Sequence, residues 1–146
     1  MRFLSELANF DRIKTIQTVA TGDVTSDIID MAGYDGVLFL VIWGAITDGT
    51  PKVKAQQDSD SAMGAAADLT GTSVAIADTD DNKMAILDIL QPQERYVRCV
   101  VTRGGSTGAV VDAILAIQYN AHAEPVTQSG DVAGHEKHVT PIEGTA

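Results

Sequence analysis

Few side chains in this sequence could do chemistry, and their spacing favours structural roles. His135 and His138 lie three residues apart, which would place both imidazoles near one metal ion on a helix. The spacing is not the His-Glu-x-x-His of zinc proteases, and no helix is predicted there. Residues 78–82 (Asp-Thr-Asp-Asp-Asn) open like a calcium-binding loop, but Lys83 occupies the required glycine position and no glutamate follows at the twelfth position. A hairpin turn explains these aspartates better, and no metal site is predicted.

Catalytic arrangements are equally poorly supported. Nucleophilic catalysis needs a base beside a serine or cysteine, yet no histidine lies within residues 13–121 and no Gly-x-Ser-x-Gly occurs. Residues 104–108 (Gly-Gly-Ser-Thr-Gly) lack the lysine and the following helix of a phosphate-binding loop, so they are interpreted as a hairpin tip. Carboxylates are plentiful, but the few aromatic residues are scattered and do not form a sugar-binding platform. We therefore predict no catalytic residue, no cofactor and no enzymatic activity.

Composition and charge narrow the class of protein. A chain of 146 residues with 45% hydrophobic residues can bury the core of one domain, and 5% aromatic content means that this core is aliphatic. The net charge of −10 repels phosphate and anionic lipid, so neither nucleic acid nor a membrane is an expected partner. Cys99 is the single cysteine, which excludes an internal disulfide and suits folding in a reducing cytoplasm.

No targeting or membrane-spanning segment is expected from the sequence. The apolar stretch after Arg2 ends at Leu4, which is too short for the core of a signal peptide. The longest apolar run, GVLFLVIWGAI at residues 36–46, is far below the roughly 20 residues of a membrane helix. We interpret this run as a strand in the middle of a sheet, covered on both faces.

The elements that would position any site are short strands. Apolar runs recur about every ten residues, each closed by Gly, Asp, Asn or Pro, and no segment has a helical period. This pattern predicts an all-β, single-domain antiparallel β-sandwich of the jelly-roll type. Its eight predicted strands are residues 13–20, 24–32, 37–46, 52–59, 72–77, 83–90, 95–103 and 109–121.

Alternation along the last strand, residues 109–121, predicts which side chains are buried. The core face is predicted to hold Val111, Ala113, Leu115, Ile117 and Tyr119. The opposite face is predicted to hold Asp112, Ile114, Ala116, Gln118 and Asn120. Apolar residues also remain on other predicted outer faces, namely Ile86, Leu90 and Val100. Outer faces that are less polar than a monomer requires favour contacts between subunits.

Two terminal arms flank the predicted sandwich. Residues 1–12 could form one helical turn, too short to be stable alone, so they are expected to pack on something else. Residues 122–146 have no aromatic residue and a composition that does not fold alone. We predict that both arms contact a partner, through Phe3, Leu4 and Leu7 in the N-terminal arm and through Val126, Val132, Val139 and Ile142 in the C-terminal arm.

Over residues 13–121 the chain resembles the small head-decoration (cement) proteins of tailed bacteriophages, of the jelly-roll type. The stretches that carry the resemblance are YDGVLFLV at residues 34–41, Asp-Gly-Thr at 48–50 and Arg-Tyr-Val-Arg at 95–98. The resemblance implies a structural protein on the outer capsid surface of a virion, made in the cytoplasm of the bacterial host. It also implies a homodimer or homotrimer whose arms clamp adjacent subunits of the major capsid protein.

Two other classes of function are alternatives. The first is a carbohydrate- or receptor-binding jelly-roll module of a phage tail or baseplate, for which Tyr34, Tyr96 and the turn at 78–82 are the candidate contacts. The second is a small hydrolase, which needs a polar pocket holding a group with a shifted pKa. The sequence positions no group to form such a pocket, so the hydrolase ranks last.

Overall fold

The computed structural model describes residues 2–145, and this part of the chain is almost entirely strands. One helical turn, α1, precedes eleven strands. Their bounds are α1 Leu4–Leu7, β1 Asn9–Lys14, β2 Gln17–Ala20, β3 Val24–Thr25, β4 Ile29–Asp30, β5 Tyr34–Ile46, β6 Lys52–Asp58, β7 Ala67–Asp68, β8 Val74–Ala75, β9 Met84–Leu90, β10 Tyr96–Thr102 and β11 Ala109–Ala121. The α1 turn lies within the segment for which a helical turn was predicted.

The strands form two antiparallel sheets that stack into a sandwich. The first sheet has the order β1-β11-β5-β9, with β2 also pairing with β11. The second sheet has the order β3-β10-β6-β7, with β4 also on β10 and β8 also on β6. Every pairing is antiparallel, and the chain changes sheet at most connections, so most turns and loops cross from one sheet to the other.

The topology is that of a jelly roll. In three cases, two consecutive short strands pair with one and the same neighbouring strand, so we count the two as one interrupted strand. These cases are β1 with β2, β3 with β4, and β7 with β8. With that grouping the chain has eight strands, arranged 1-8-3-6 in the first sheet and 2-7-4-5 in the second. Early and late strands therefore interleave in both sheets, as in two Greek keys. The predicted single-domain β-sandwich is confirmed.

Two predicted strands are shorter or interrupted in the structure. The segment predicted as 24–32 divides into β3 and β4. Between them the Ser26 hydroxyl accepts the Cys99 N–H at 2.9 Å, a bond that a backbone carbonyl would accept in a continuous strand. The segment predicted as 72–77 contains only β8, and the preceding loop contributes β7. That loop is organised by the buried Asp58 carboxylate, which accepts the N–H groups of Asp60 and Ala65.

The core is mainly aliphatic, as predicted, but its two largest fully buried side chains are the aromatic Trp43 and Phe39. The side chains of Val37, Phe39 and Val41 on β5 are fully buried, and they face a second sheet that contributes Val97 and Cys99. Burial raises the pKa of the Cys99 thiol to about 12, so this cysteine is a neutral core residue.

The prediction that β5 is covered on both faces is correct only for its inner face. The strand lies centrally between β11 and β9. Its outward side chains, Leu38, Leu40 and Ile42, remain half-buried because no layer formed by residues 2–145 covers that side of the sheet.

A β-bulge in β11 reverses the predicted faces of that strand. Val111 lies opposite Trp43, whereas Ala113 lies opposite Ile42, so two steps on β11 match one step on β5. Alternation resumes after the bulge with the opposite phase. Ile114, Ala116 and Gln118 are buried, while Leu115, Ile117 and Tyr119 point away from the core. The core assignment of Leu115, Ile117 and Tyr119 was therefore wrong, because a strict period of two cannot reveal an inserted residue.

The two ends of the chain meet at one side of the sandwich. Strand β1 begins at Asn9, four residues before the predicted start, because residues 9–12 pair with β11. Residues 122–145 contain no helix or strand. They begin where β11 ends, and the His122 N–H donates to the Gly33 carbonyl at 2.9 Å.

Candidate interaction surface

The outward side chains of the first sheet form one continuous apolar surface. The register places Leu40 directly opposite both Leu115 and Ile86, so these three side chains form a row across the sheet. A parallel row contains Leu38 and Ile117. We call this surface the outer apolar face; its members are Leu38, Leu40 and Ile42 of β5, Met84, Ile86 and Leu90 of β9, and Leu115, Ile117 and Tyr119 of β11.

The β9 side of this face is the most exposed. Met84, Ile86 and Leu90 have 62%, 57% and 59% of their surface exposed, whereas the members on β5 and β11 are half-buried by their neighbours. Three strands about 4.8 Å apart and seven residues of about 3.3 Å each span roughly 330 Å². A patch of that size lies within the roughly 300–600 Å² of the largest apolar patch on a typical monomer, which is often functional.

One acidic residue, Asp88, interrupts the face on β9, and its charge is partnered. The Tyr119 ring lies flat over Gly36, where any Cβ would collide with the ring. From there the Tyr119 hydroxyl reaches across β5 and donates to the Asp88 carboxylate at 2.6 Å. Partial burial and this bond raise the pKa of Tyr119 to about 12, so the phenol stays protonated and keeps donating. This contact lets a glycine and an acid fit within an apolar surface.

The outer face of the second sheet is polar instead. Lys54 pairs with Asp68 at 2.8 Å, and Arg98 donates to Gln56 at 2.8 Å. The Asp68 pKa is lowered, mainly by its bond with Lys54. Among the three outer residues predicted to be apolar leftovers, Ile86 and Leu90 are exposed on the first sheet, but Val100 on the second sheet is buried. The apolar character is therefore confined to one side of the sandwich.

The C-terminal segment covers the β1 edge of the first sheet. We call residues 124–132 the strap. The Gln128 side chain accepts the Phe10 N–H at 3.0 Å and donates to the carbonyls of Ser5 and Ala8, each at 2.8 Å. The Ser129 N–H donates to the Asn9 side chain at 2.8 Å. The strap thus satisfies one N–H of the edge strand, that of Phe10, and two carbonyls of the segment that leads into it.

An acidic group lies beneath the strap. The Ser129 hydroxyl donates to the Asp11 carboxylate at 3.0 Å. Partial burial raises the pKa of Asp11, and the neighbouring carboxylates Asp131 and Asp27 raise it further against the lowering effect of Ser129. The attachment of the strap therefore includes a carboxyl group that is more easily protonated than an ordinary aspartate.

The seven predicted interface residues divide into two groups. Phe3, Leu7, Val126 and Val132 are half-buried where the two ends of the chain pack together. The other three are exposed: Leu4 at 65%, Val139 at 71% and Ile142 at 94%.

The two arms also contact each other through Lys137. Its ammonium group lies 5.9 Å from the centre of the Phe3 ring and 2.8 Å from the Glu6 carboxylate, and it lowers the pKa of Glu6. The seven predicted interface residues all lie on the arms and include no member of the outer apolar face. Leu115 and Ile117 of β11 were missed because the bulge that turns them outward leaves no mark in the alternation.

The aspartates of the calcium-like segment at 78–82 bond to other groups of this chain. Asp80 pairs with Lys83 at 2.7 Å and accepts the Ala77 N–H, and these two contacts lower its pKa. Asp81 accepts the Ile46 N–H at 2.5 Å. Within residues 2–145, no three His, Cys, Asp or Glu side chains are arranged to hold a metal ion.

The glycine-rich segment at 104–108 connects β10 of the second sheet to β11 of the first sheet. Its interpretation as a hairpin tip was therefore wrong, because the two strands that it joins do not pair with each other. The Asp48 carboxylate accepts the N–H groups of Ser106, Thr107 and Gly108 together with the Ser106 hydroxyl. These bonds hold the pKa of Asp48 well below its usual range. The loop is therefore tied to the neighbouring loop between β5 and β6 by an ionised aspartate.

A shallow cleft of about 340 Å³ lies at the end of the sandwich where β10 begins. Tyr34, Asp35, Arg95 and His122 line it, with the Asp35 carboxylate 2.7 Å from the His122 ring. Arg95 makes two bonds to Asp30, at 2.8 and 2.7 Å, on the same side of the molecule. Tyr96, the other aromatic candidate, is half-buried beneath the Arg95 guanidinium at 5.3 Å.

Comparison with known proteins adds one distant likeness in fold. No protein-family model matches the chain, and no curated protein matches its sequence significantly. Among solved structures, the chain is similar to one from the disulfide-linked pili that form Bacillus endospore appendages, with a TM-score of 0.45 and 12% identity. The similarity covers 78% of this chain and 88% of that one. A likeness at this level carries no information about function. No helix within residues 2–145 is long and apolar enough to cross a membrane.

Proposed function

We propose that this protein is a non-catalytic structural subunit that binds the outside of a tailed-phage capsid. In this proposal the outer apolar face and the exposed C-terminal residues contact the major capsid protein. The observation that carries the proposal is the outer apolar face itself, since one side of an otherwise acidic and polar molecule presents Met84, Ile86 and Leu90 to solvent. Such a surface favours a protein partner.

The size of the face determines what kind of binding is expected. Burying roughly 330 Å² at about 25 cal/mol per Å² contributes about 8 kcal/mol before costs. Association itself costs about 4–15 kcal/mol, so the face alone supports only weak binding. A second attachment on the same particle raises the effective concentration and strengthens binding by multivalency. Val139 and Ile142, exposed beyond the strap, are the proposed second attachment.

Charge supports a neutral or basic partner surface. The chain carries −10, but the outer apolar face contains one charge, Asp88, which Tyr119 partners. Contacts made through this face should therefore depend little on salt, because they bury apolar area rather than ion pairs. Strong weakening of capsid binding by added salt would instead assign the contact to the charged surface.

Co-sedimentation with capsids of the encoding phage, prepared without this protein, tests the proposal. The double variant Ile86→Lys, Leu115→Lys places two charges in the centre of the face, and we expect bound protein to fall at least about tenfold. The matched control is Ile16→Lys, because Ile16 is 59% exposed, close to the 57% of Ile86, but lies between β1 and β2 outside the face. Equal binding by all forms, or no binding by the unaltered protein, would overturn the proposal.

The cleft beside Tyr34 supports a second candidate, a carbohydrate- or receptor-binding module. A half-buried aromatic ring together with Arg95, Asp35 and His122 provides a stacking surface and polar groups in one concave place. A glycan array with and without chelator, run for the unaltered protein and for Tyr34→Ala, tests it. Binding lost in Tyr34→Ala would favour this function over capsid attachment. An array without any bound glycan would remove it.

A further inference from the structure

The four edges of the two sheets are protected to very different degrees. The second sheet ends in β3 and β4 on one side and in β7 and β8 on the other, and each of these strands is two residues long. One edge of the first sheet consists of β1 and β2; Gln128 of the strap accepts the Phe10 N–H of β1, and Arg103 donates to the Thr18 carbonyl of β2. The remaining edge is β9, Met84–Leu90, which is seven residues long and, in the part of the chain that the structure describes, pairs with β5 alone. Short or covered edges resist pairing with other chains, and a long apolar edge invites it.

Backbone geometry shows which groups of β9 face outward. The Trp43 N–H donates to the Lys83 carbonyl, and the Gln91 N–H donates to the Asp35 carbonyl. In an antiparallel ladder the bonded pairs alternate, so Ala85, Leu87 and Ile89 bond to β5. The N–H and C=O groups of the other four residues therefore point away from the sheet: Met84, Ile86, Asp88 and Leu90.

We propose that β9 pairs antiparallel with β9 of a second copy of this chain, which joins the two first sheets into one. In the register we infer, Leu87 lies on the two-fold axis, Met84 lies opposite the second copy's Leu90, and Ile86 lies opposite its Asp88. All four outward-facing residues of each copy then exchange both of their bonds, so the pairing forms eight N–H···O bonds. The two outer apolar faces become neighbours on one side of the joined sheet.

A second copy fits this edge because the strand is complementary to itself. An antiparallel two-fold pairing presents the same backbone pattern from both sides. The charge of −10 makes most surfaces of two copies repel each other, whereas β9 contains one charge in seven residues. That charge, Asp88, already accepts a bond from Tyr119, and the inferred register offsets the two Asp88 carboxylates instead of placing them face to face. An edge protected against pairing would carry lysine or proline here.

The length of β9 sets the expected strength of dimerisation. Seven residues span about 23 Å, and pairing along one edge buries much less than the roughly 800 Å² per partner of a standard stable interface. We therefore expect a reversible dimer in the micromolar range or weaker. The inference goes beyond the proposed function, since it concerns two free copies in solution without a capsid.

Analytical ultracentrifugation of the full chain from about 1 µM to about 1 mM tests the proposal directly. The unaltered protein should show a reversible monomer–dimer equilibrium. Ile86→Pro removes an outward N–H and blocks approach, but it leaves the bonds to β5 intact, as proline on an edge strand does. We expect it to weaken dimerisation at least about tenfold. Ile86→Thr keeps the N–H and should retain most of the dimer.

Two further readouts separate this pairing from its alternatives. Leu115 lies on the outer apolar face but not on the edge, so Leu115→Lys should leave the dimer intact. If Leu115→Lys abolished the dimer and Ile86→Pro retained it, the copies would instead pack face to face. Hydrogen exchange of the unaltered protein should slow with concentration at the amides of Met84, Ile86, Asp88 and Leu90, which keeps the test decisive if Ile86→Pro fails to fold. A monomer at about 1 mM, with unchanged exchange, would overturn the proposal.

Discussion

The two edges of the first sheet differ in how their unpaired backbone groups are protected. The β1 edge is covered by the chain's own C-terminal strap, and it also carries charged residues, Asp11, Arg12 and Lys14. The β9 edge has no covering segment within the described residues and carries one charge, Asp88. Because an unpaired strand edge can bond to another chain, the covered edge limits association on one side, and the open edge leaves a single direction in which the sheet can grow.

The comparison also shows how little chain is needed to cover an edge. No extra strand is added at β1. One glutamine, Gln128, carries both donors and an acceptor and so satisfies an N–H and two carbonyls. The C-terminal segment is therefore held by this molecule's own N-terminal residues through the strap and through Lys137, and the residues after 132 are exposed. This outcome was not expected from its composition, which indicated ordering by a partner.

Removal of the whole strap should have the largest effect. A protein ending at residue 121 loses the bonds of Val126, Gln128 and Ser129 to the N-terminal segment, and we expect the free energy of unfolding to fall by roughly 2–4 kcal/mol. Denaturation in urea measures the change. A protein ending at residue 132 keeps the strap and should lose less than about 1 kcal/mol. Equal losses in the two truncations would mean that the strap does not protect this edge.

A single substitution should open the β1 edge more selectively. Gln128→Ala removes three hydrogen bonds and leaves the Phe10 N–H without its partner, so we expect a loss of about 2 kcal/mol. The neighbouring Thr127 is exposed, and Thr127→Ala should change stability by less than about 0.5 kcal/mol. Hydrogen exchange at Phe10 should accelerate only in Gln128→Ala. Unchanged exchange there would show that the edge is protected by something other than this side chain.

The β1 edge should also respond to pH, in a direction set by Asp11. Its pKa is raised in the folded protein, so the folded state binds a proton more tightly than the unfolded state does. The stabilisation that this tighter proton binding gives the folded state is fully present below the ordinary aspartate pKa. It is lost as pH rises through the higher pKa of Asp11 in the folded protein. Asp11→Asn should therefore be slightly more stable than the unaltered protein near pH 7, and the difference should shrink toward about pH 4. Thermal unfolding across that range measures it; a difference that grows on acidification would contradict the assignment.

Substitution on the open edge should have the smallest effect on the isolated monomer. Ile86 is 57% exposed, so Ile86→Thr at low concentration should change the free energy of unfolding by less than about 0.5 kcal/mol. Denaturation at about 1 µM, where the proposed dimer is dissociated, gives the relevant value. A loss comparable to that of Gln128→Ala would show that the β9 edge is covered within one chain, and the contrast between the edges would disappear.

Much of the fold could be predicted because turn chemistry is local. Gly, Asp, Asn and Pro close each apolar run within a few residues, so the number and order of the strands follow from the sequence. The inner-face pattern of β9 and the burial of Cys99 were predictable for the same reason, since alternation without a bulge has one solution. The part of the function that concerns phage capsids remains a prediction.

The candidate surface was only partly predictable because it depends on long-range register. Ile86 and Leu90 were recognised as outward apolar residues, and both are. Leu115 and Ile117 were assigned to the core, because the inserted residue near Ala113 has no local signature. Leu38 and Leu40 lie in a run so apolar that both of its faces were expected to be covered.

Strand number, the aliphatic core and the acidic surface follow from residue types over short distances, since propensity, turn geometry and charge act locally along the chain. The exposed side of β11, the covering of one edge by Gln128 and the openness of the other were decided only when strands distant in sequence came together. Hydrogen-bond register and edge protection are properties of pairs of strands, and no single strand contains them.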